Sequence, residues 1–222
     1  MKIQVRFITN VNNITQKHDS NDTLYICLPL KDTINPYSHF EDCKQAAQNG
    51  MNRIVSAPFE TDGYIVMAYI NGEECHYQRA CFLPDKLNLF TTKYTTGDNV
   101  TVFPMMDINI ALAVGFDILQ PQYTRLAALR GVSLLVSSLW LDGDEYLMNG
   151  PWSVVQANCL PVACAQPGKG NLILPCVMTN DNSGFGRDSF FTDEITDAYR
   201  SFPVFDSLNP DLYNHYRKEL LD

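Results

Sequence analysis

With 222 residues, 45% of them hydrophobic and 18% charged, the chain is long enough for one sizeable core and short for two. Lys and Arg number 16 against 25 Asp and Glu, a net charge of −9 that repels phosphate backbones and anionic headgroups and so excludes nucleic acid and membrane surfaces as expected partners. No apolar run is long enough to cross a bilayer, and residues 1–7, with Lys2 and Arg6, lack the apolar core of a leader peptide.

The first two strands are predicted over residues 2–8 and 23–28, joined by a polar loop over 10–22. Ser38 with Glu41 three residues on is a capping-box pattern. The helix it opens carries Phe40, Cys43, Ala46 and Ala47 on one side and stops at Gly50. Apolar strands follow at 53–58 and 64–70. Asn71-Gly72 then suits a type I′ hairpin returning through 74–77. Residues 110–114 read as a buried strand, 121–130 as a helix with Tyr123, Leu126, Ala127 and Arg130 at helical spacing, and 132–137 as a second strand. Strand, helix and strand in that order make a βαβ unit with two parallel strands in a covered sheet. Segments 160–165 and 172–178 contain Pro161 and Pro175, and because proline cannot donate to a ladder they are expected at edges or bulges. No repeat or linker interrupts the chain, so residues 1–222 are read as one domain.

Seven cysteines, an odd number, are scattered at Cys27, Cys43, Cys75, Cys81, Cys159, Cys164 and Cys176. Their spacing predicts buried thiols in a reducing compartment, with the cytoplasm the expected location. Cys75-His76 with Cys81 lacks a fourth metal ligand, and Gly168-Lys169-Gly170 lacks the spaced glycine and the Ser/Thr of a phosphate loop and is a turn. His18, His39 and His215 stand isolated in polar surroundings and are expected to be exposed. Neither a metal nor a cofactor is expected.

Residues 109–121 run apolar strand, Gly115, Phe116, Asp117 and then a helix opened at Pro121. This resembles the nitrilase, or carbon–nitrogen hydrolase, superfamily, whose pattern there is apolar strand, Cys, aromatic, Asp and helix. Gly115 takes the place of the cysteine nucleophile. Residues 23–30 resemble the family's strand ending in aromatic-Pro-Glu, with Leu30 in place of the glutamate general base. His76-Tyr77-Gln78-Arg79, with Leu83-Pro84-Asp85 after it, resembles the Tyr-Arg-Lys segment, with Arg79 in place of the catalytic lysine. Thr92 stands where a second glutamate precedes a Pro-Gly turn, and Ala157 where the Ala-x-Glu-Asn motif has its Glu. The strand ending in Trp140 and the closing Asn209-Pro210-Asp211-Leu212-Tyr213 also look like family segments. Gly115-Phe116-Asp117-Ile118-Leu119 is similar to the Cys-Phe-Asp-Ile-Leu of the vanin and biotinidase branch. The resemblance spans nearly the whole chain and departs in the shortened N-terminal third.

The resemblance implies an α/β fold, the αββα four-layer sandwich of that superfamily, and assembly into oligomers. It also implies that the family's chemistry is missing. There, cysteine attacks an amide or nitrile carbon, glutamate moves protons and lysine stabilises negative charge. Glycine supplies no nucleophile, leucine accepts no proton, and arginine holds its charge permanently in a flat fork suited to a carboxylate. Three expectations follow. One is a degenerate member, an interaction or structural subunit pairing with itself or with an active relative. Another is a binder of a small carboxylate, using Arg79 in a pocket with Thr92, Phe116, Trp140 and Asp142. The third is a hydrolase of carbon–nitrogen bonds other than peptide bonds with rearranged residues. Asp117 is expected to do a structural job beside Gly115.

Overall fold

The computed structural model describes residues 2–9, 11, 22–49, 53–83, 94–140, 144–175 and 189–192. The alternating pattern at the N-terminus forms β1 (Lys2–Ile8), which pairs in parallel with β2 (Thr23–Cys27). Helix α1 (Tyr37–Gln48) follows. It starts one residue before Ser38, because the extended Pro36 (φ −66°, ψ 156°) is its N-cap and Ser38 already lies in the first turn. The capping box expected at Ser38 and Glu41 is therefore not formed, and no side chain caps this end. The buried stripe is as expected: Phe40, Cys43 and Ala47 face inward.

Strands β3 (Arg53–Val55), β4 (Phe59–Thr61), β5 (Tyr64–Asn71) and β6 (Glu74–Arg79) complete one side of the first sheet. The turn between β5 and β6 corrects the expectation at Asn71-Gly72. Asn71 is still paired with Glu74, so the two-residue loop is Gly72-Glu73, and only Gly72 takes positive φ. The pair with both residues at positive φ is Asp62-Gly63, between β4 and β5, where Thr61 pairs with Tyr64.

The second sheet contains β7 (Val102–Met105), β8 (Ile108–Val114), β9 (Leu134–Ser138), β10 (Val162–Gln166) and β11 (Lys169–Ile173). The βαβ unit is present: β8 and β9 are parallel neighbours joined through α2 (Pro121–Leu129). A further helix, α3 (Asp144–Asn158), connects β9 to β10, also a parallel pair. Contrary to the expectation from Pro161, β10 is interior, flanked by β9 and β11. Pro161 escapes the rule because it precedes the strand and contributes only its carbonyl, which accepts from Leu135. The expectation holds for the segment with Pro175, which overlaps the edge strand β11, and Pro104 in β7 lies on the opposite edge. Lys169 and Gly170 belong to β11, leaving Gly168 as the turn residue, and residues 176–178 lie outside the described segments.

Strand β12 (Ser189–Phe191) pairs antiparallel with β1, giving a sheet order β12-β1-β2-β3-β5-β4 with β6 on β5, and a second order β11-β10-β9-β8-β7. Three apolar clusters separate the layers. Ile3, Ile26 and Met67 meet Ile110, Val136 and Ala163 between the sheets. Tyr25, Ile54 and Ala68 pack under Phe40 of α1, while Ala113, Leu135 and Val162 pack under Tyr123 of α2 and Val155 of α3. Helix, sheet, sheet and helices thus stack as four layers. The period of two puts alternate side chains of every inner strand into different interfaces.

Candidate functional site

The parallel strands of the second sheet end at one edge, and β8 leaves the sheet at Gly115 in a short 3-10 turn, Gly115–Leu119. Gly115 has φ +59°, the left-handed region that disfavours a side chain. A Cβ built there would lie 2.4 Å and 2.5 Å from two ring atoms of Trp140. Trp140 follows β9, is fully buried, and meets Phe116 edge-on, with ring centroids 5.9 Å apart at 87°. The indole therefore occupies the space that a side chain at 115 would need. The main chain of Trp140 also holds the segment after β2, since its carbonyl accepts from the Asp32 N–H at 3.0 Å.

Asp117 fastens this corner. One carboxylate oxygen accepts from the backbone N–H groups of Cys81 (2.9 Å) and Phe82 (2.8 Å), and the other from Val114 (3.2 Å). It thereby ties the turn to the chain leaving β6, that is, one sheet to the other. Burial pushes its pKa up to about 7 even though the three N–H groups pull the other way. The structural task expected for Asp117 is what its contacts describe.

The expected site residues separate into two sets. Gly115, Phe116 and Trp140 come together. Leu30 does not join them: 47% exposed, it gives its backbone N–H to Asn35 and leaves its side chain toward solvent. Arg79 is also exposed, with its guanidinium 4.0 Å above the Tyr64 ring. Its partner across the ladder, Val66, belongs to the cluster under α1, so Arg79 lies on the face turned away from the space between the sheets. Thr92 and Asp142 fall outside the described residues.

The buried β6 side chain on the inward face is Gln78, opposite Met67, with the half-buried His76 beside Phe103 two residues before it. The Gln78 amide donates to the carbonyls of Arg79 and Asn99 and accepts from Thr101 N–H, each at 2.8 Å. Sequence reasoning passed over it for its charged neighbour. The alternation of exposed and buried positions along β6 was the available signal. Nearby, Cys81 has its thiol pushed up to about 12 by burial and by the Asp117 charge, so it stays protonated and is a poor nucleophile at neutral pH. Beyond the end of the Gly115–Leu119 turn a groove of about 620 Å³ opens between α2 and α3, lined by Leu119, Pro121, Thr124, Arg125, Val154 and Ala157.

Among the described residues, the group suited to holding a metal lies elsewhere. His39, expected to be isolated and exposed, is half-buried, with Nε2 3.6 Å from the Cys43 sulfur and accepting from Ala57 N–H at 3.3 Å. Cys43 lies 3.5 Å from Cys27. Hydrogen bonding to Cys27, and then to His39, draws the Cys43 thiol down to about 6, while the same contact and burial push Cys27 well up.

No protein-family model matches the sequence, and no curated protein matches it either. The structure, by contrast, is similar to solved ones. A carbon–nitrogen hydrolase from Helicobacter pylori superposes with a TM-score of 0.71 at 14% identity, over 96% of this chain and 97% of that one. A Saccharomyces cerevisiae member of branch 10 of the nitrilase superfamily gives 0.68 at 12% identity, over 93% and 96%. An amidase from Nesterenkonia gives 0.61 at 15% identity, over 79% and 82%. The fold is the α/β fold of the nitrilase superfamily, spanning nearly the full length of the first two structures.

Proposed function

We propose that this chain is a catalytically degenerate relative of the nitrilase superfamily that serves as an interaction or structural subunit, paired with an active relative or with a second copy. The observation that carries the reading is the Trp140 indole lying where a side chain at position 115 would project. Restoring a cysteine would therefore need more than one substitution. The exposed Leu30 and the outward Arg79 add to it, because neither position supplies a base or a cation to the Gly115 corner. The Gly115–Leu119 run favours the vanin and biotinidase branch within that family. Free thiols at Cys27, Cys43 and Cys164 fit a reducing compartment such as the cytoplasm.

The carboxylate-binding reading needs Arg79 aimed at the Gly115 corner, and its stacking on Tyr64 turns it elsewhere. The rearranged-hydrolase reading needs a base within reach of some nucleophile, and at the Gly115 corner the nearby thiol, Cys81, is held protonated.

The test has two parts. Purified protein is assayed against aliphatic and aromatic amides and nitriles, and the protein isolated gently from its source is weighed by native mass spectrometry. No turnover above the uncatalysed rate, with a stoichiometric partner or a stable homo-oligomer, supports the proposal. Cysteine-dependent amide hydrolysis would sink it.

A further inference from the structure

We propose that Cys27, His39 and Cys43 form a zinc-binding site beneath α1, on the opposite face of the first sheet from the Gly115 corner. The inference is independent of the degenerate-enzyme reading, since none of the three residues belongs to that corner.

Two elements build the site. His39 and Cys43 are four residues apart on α1 and so share one face of the helix, a spacing that lets two side chains grip one ion. Cys27 is the last residue of β2, directly below. The three candidate ligand atoms lie within 4.8 Å of one another. Tetrahedral zinc, with bonds of about 2.3 Å to sulfur and about 2.0 Å to nitrogen, sets its ligands roughly 3.5–3.8 Å apart. The Cys27–Cys43 separation is 3.5 Å and the Cys43–His39 separation is 3.6 Å, so an ion can enter with small side-chain adjustments.

The donor set, two sulfurs and one imidazole, is the kind zinc selects over hard cations. The sulfurs are buried and the imidazole is only half-buried, which leaves the ion a path in past His39 and a fourth position for solvent. Among the described residues no further His, Cys, Asp or Glu joins the three. Ala57 N–H, which now donates to His39 Nε2, also lies within hydrogen-bond reach of Cys27. When Nε2 turns its lone pair to the metal, that N–H is left a thiolate to support. Both sulfurs bind Zn²⁺ as thiolates, so any proton still held by either is released to solvent, and the three-ligand site is neutral. A disulfide between Cys27 and Cys43 uses the same sulfurs, but it has no role for an imidazole nitrogen aimed at them.

The experiment uses reduced, metal-free full-length protein under anaerobic conditions, titrated with Zn²⁺ and read by native mass spectrometry, and separately with Co²⁺ read by absorption. The expected result is one ion per chain and a thiolate-to-cobalt charge-transfer band. Cys43→Ser should weaken binding by more than about a hundredfold, beyond what loss of a supporting contact costs, and His39→Gln by roughly tenfold or more. Cys164→Ala, a buried thiol on the other sheet, should bind as the wild type does. Because Cys43 is wholly buried and its variant could unfold, the half-exposed His39→Gln and the wild-type cobalt spectrum each decide the matter alone. Absence of saturable uptake by the wild type, uptake without a thiolate band, or uptake unchanged in His39→Gln overturns the proposal.

Discussion

The two sheets make an instructive pair. Each has three parallel strands at its centre, β1-β2-β3 in one and β10-β9-β8 in the other, and each is covered outside by helix. At the strand ends of the second sheet, packing defines the corner around Gly115: the left-handed turn, the clamping Asp117 and the tryptophan. No group able to attack or to move a proton projects there from Leu30, Arg79 or Gly115. Under α1 on the first sheet the reverse holds. No motif announces it, yet two thiols and an imidazole converge. Backbone geometry and reactive chemistry are thus separable. A turn can be held by packing alone, and side chains can gather wherever a helix crosses a strand end.

The comparison can be broken at the Gly115 corner first. Asp117→Ala leaves three backbone N–H groups without their acceptor, and at about 1–3 kcal/mol for each unsatisfied group the loss should be on the order of 4 kcal/mol in urea unfolding. A loss below about 1 kcal/mol would mean the clamp is dispensable. Trp140→Ala should cost about 3–5 kcal/mol, the range for a buried aromatic, and should open the space beside residue 115.

The next prediction sharpens the packing claim through a double-mutant cycle. Gly115→Cys combines a left-handed backbone with a clash against the indole, so by itself it should destabilise by about 2–4 kcal/mol. In the Trp140→Ala background the cost should shrink, giving a coupling of about 1–3 kcal/mol. Strict additivity would show that the indole does not fill that space. Gly115→Cys alone should gain no amidase activity, since Leu30 and Arg79 remain where they are.

The clamp also predicts a pH dependence. The folded pKa of Asp117 is raised from 3.8 to about 7, so the folded state holds its proton more tightly than the unfolded chain does. That contribution to stability is fully present below about pH 4 and is lost as pH rises through about 7. Asp117→Asn should flatten this part of the stability profile, measured by thermal unfolding across the same interval. The smallest effect is expected at Arg79. Arg79→Ala removes an exposed cation–aromatic contact and should cost about 0.5–1 kcal/mol, with no change at the Gly115 corner.

Much of the fold was legible in the chain. The βαβ unit around Gly115 could be read from an apolar run, a proline-opened helix and a closing glycine, because all three signals are local. The stripe Phe40, Cys43 and Ala47 was legible for the same reason. Mistakes arose where a neighbour decides. Asn71-Gly72 has the composition of a type I′ turn, but the ladder runs one pair further and moves the loop to Gly72-Glu73. Pro161 looked like an edge marker, yet it sits just outside its strand, where no N–H is required. Arg79 drew attention by its charge, while strand alternation gives the interior to Gln78.

By itself the sequence determined the βαβ unit, the stripe along α1 and the place of the Gly115 turn, since each depends on residue identity and short-range period. Only the tertiary structure decided that Trp140 fills the space beside Gly115, that Arg79 faces outward, and that His39 meets Cys27 and Cys43. These depend on which face of a strand meets which layer, and on side chains far apart in sequence competing for one volume. Local propensity holds no information about either.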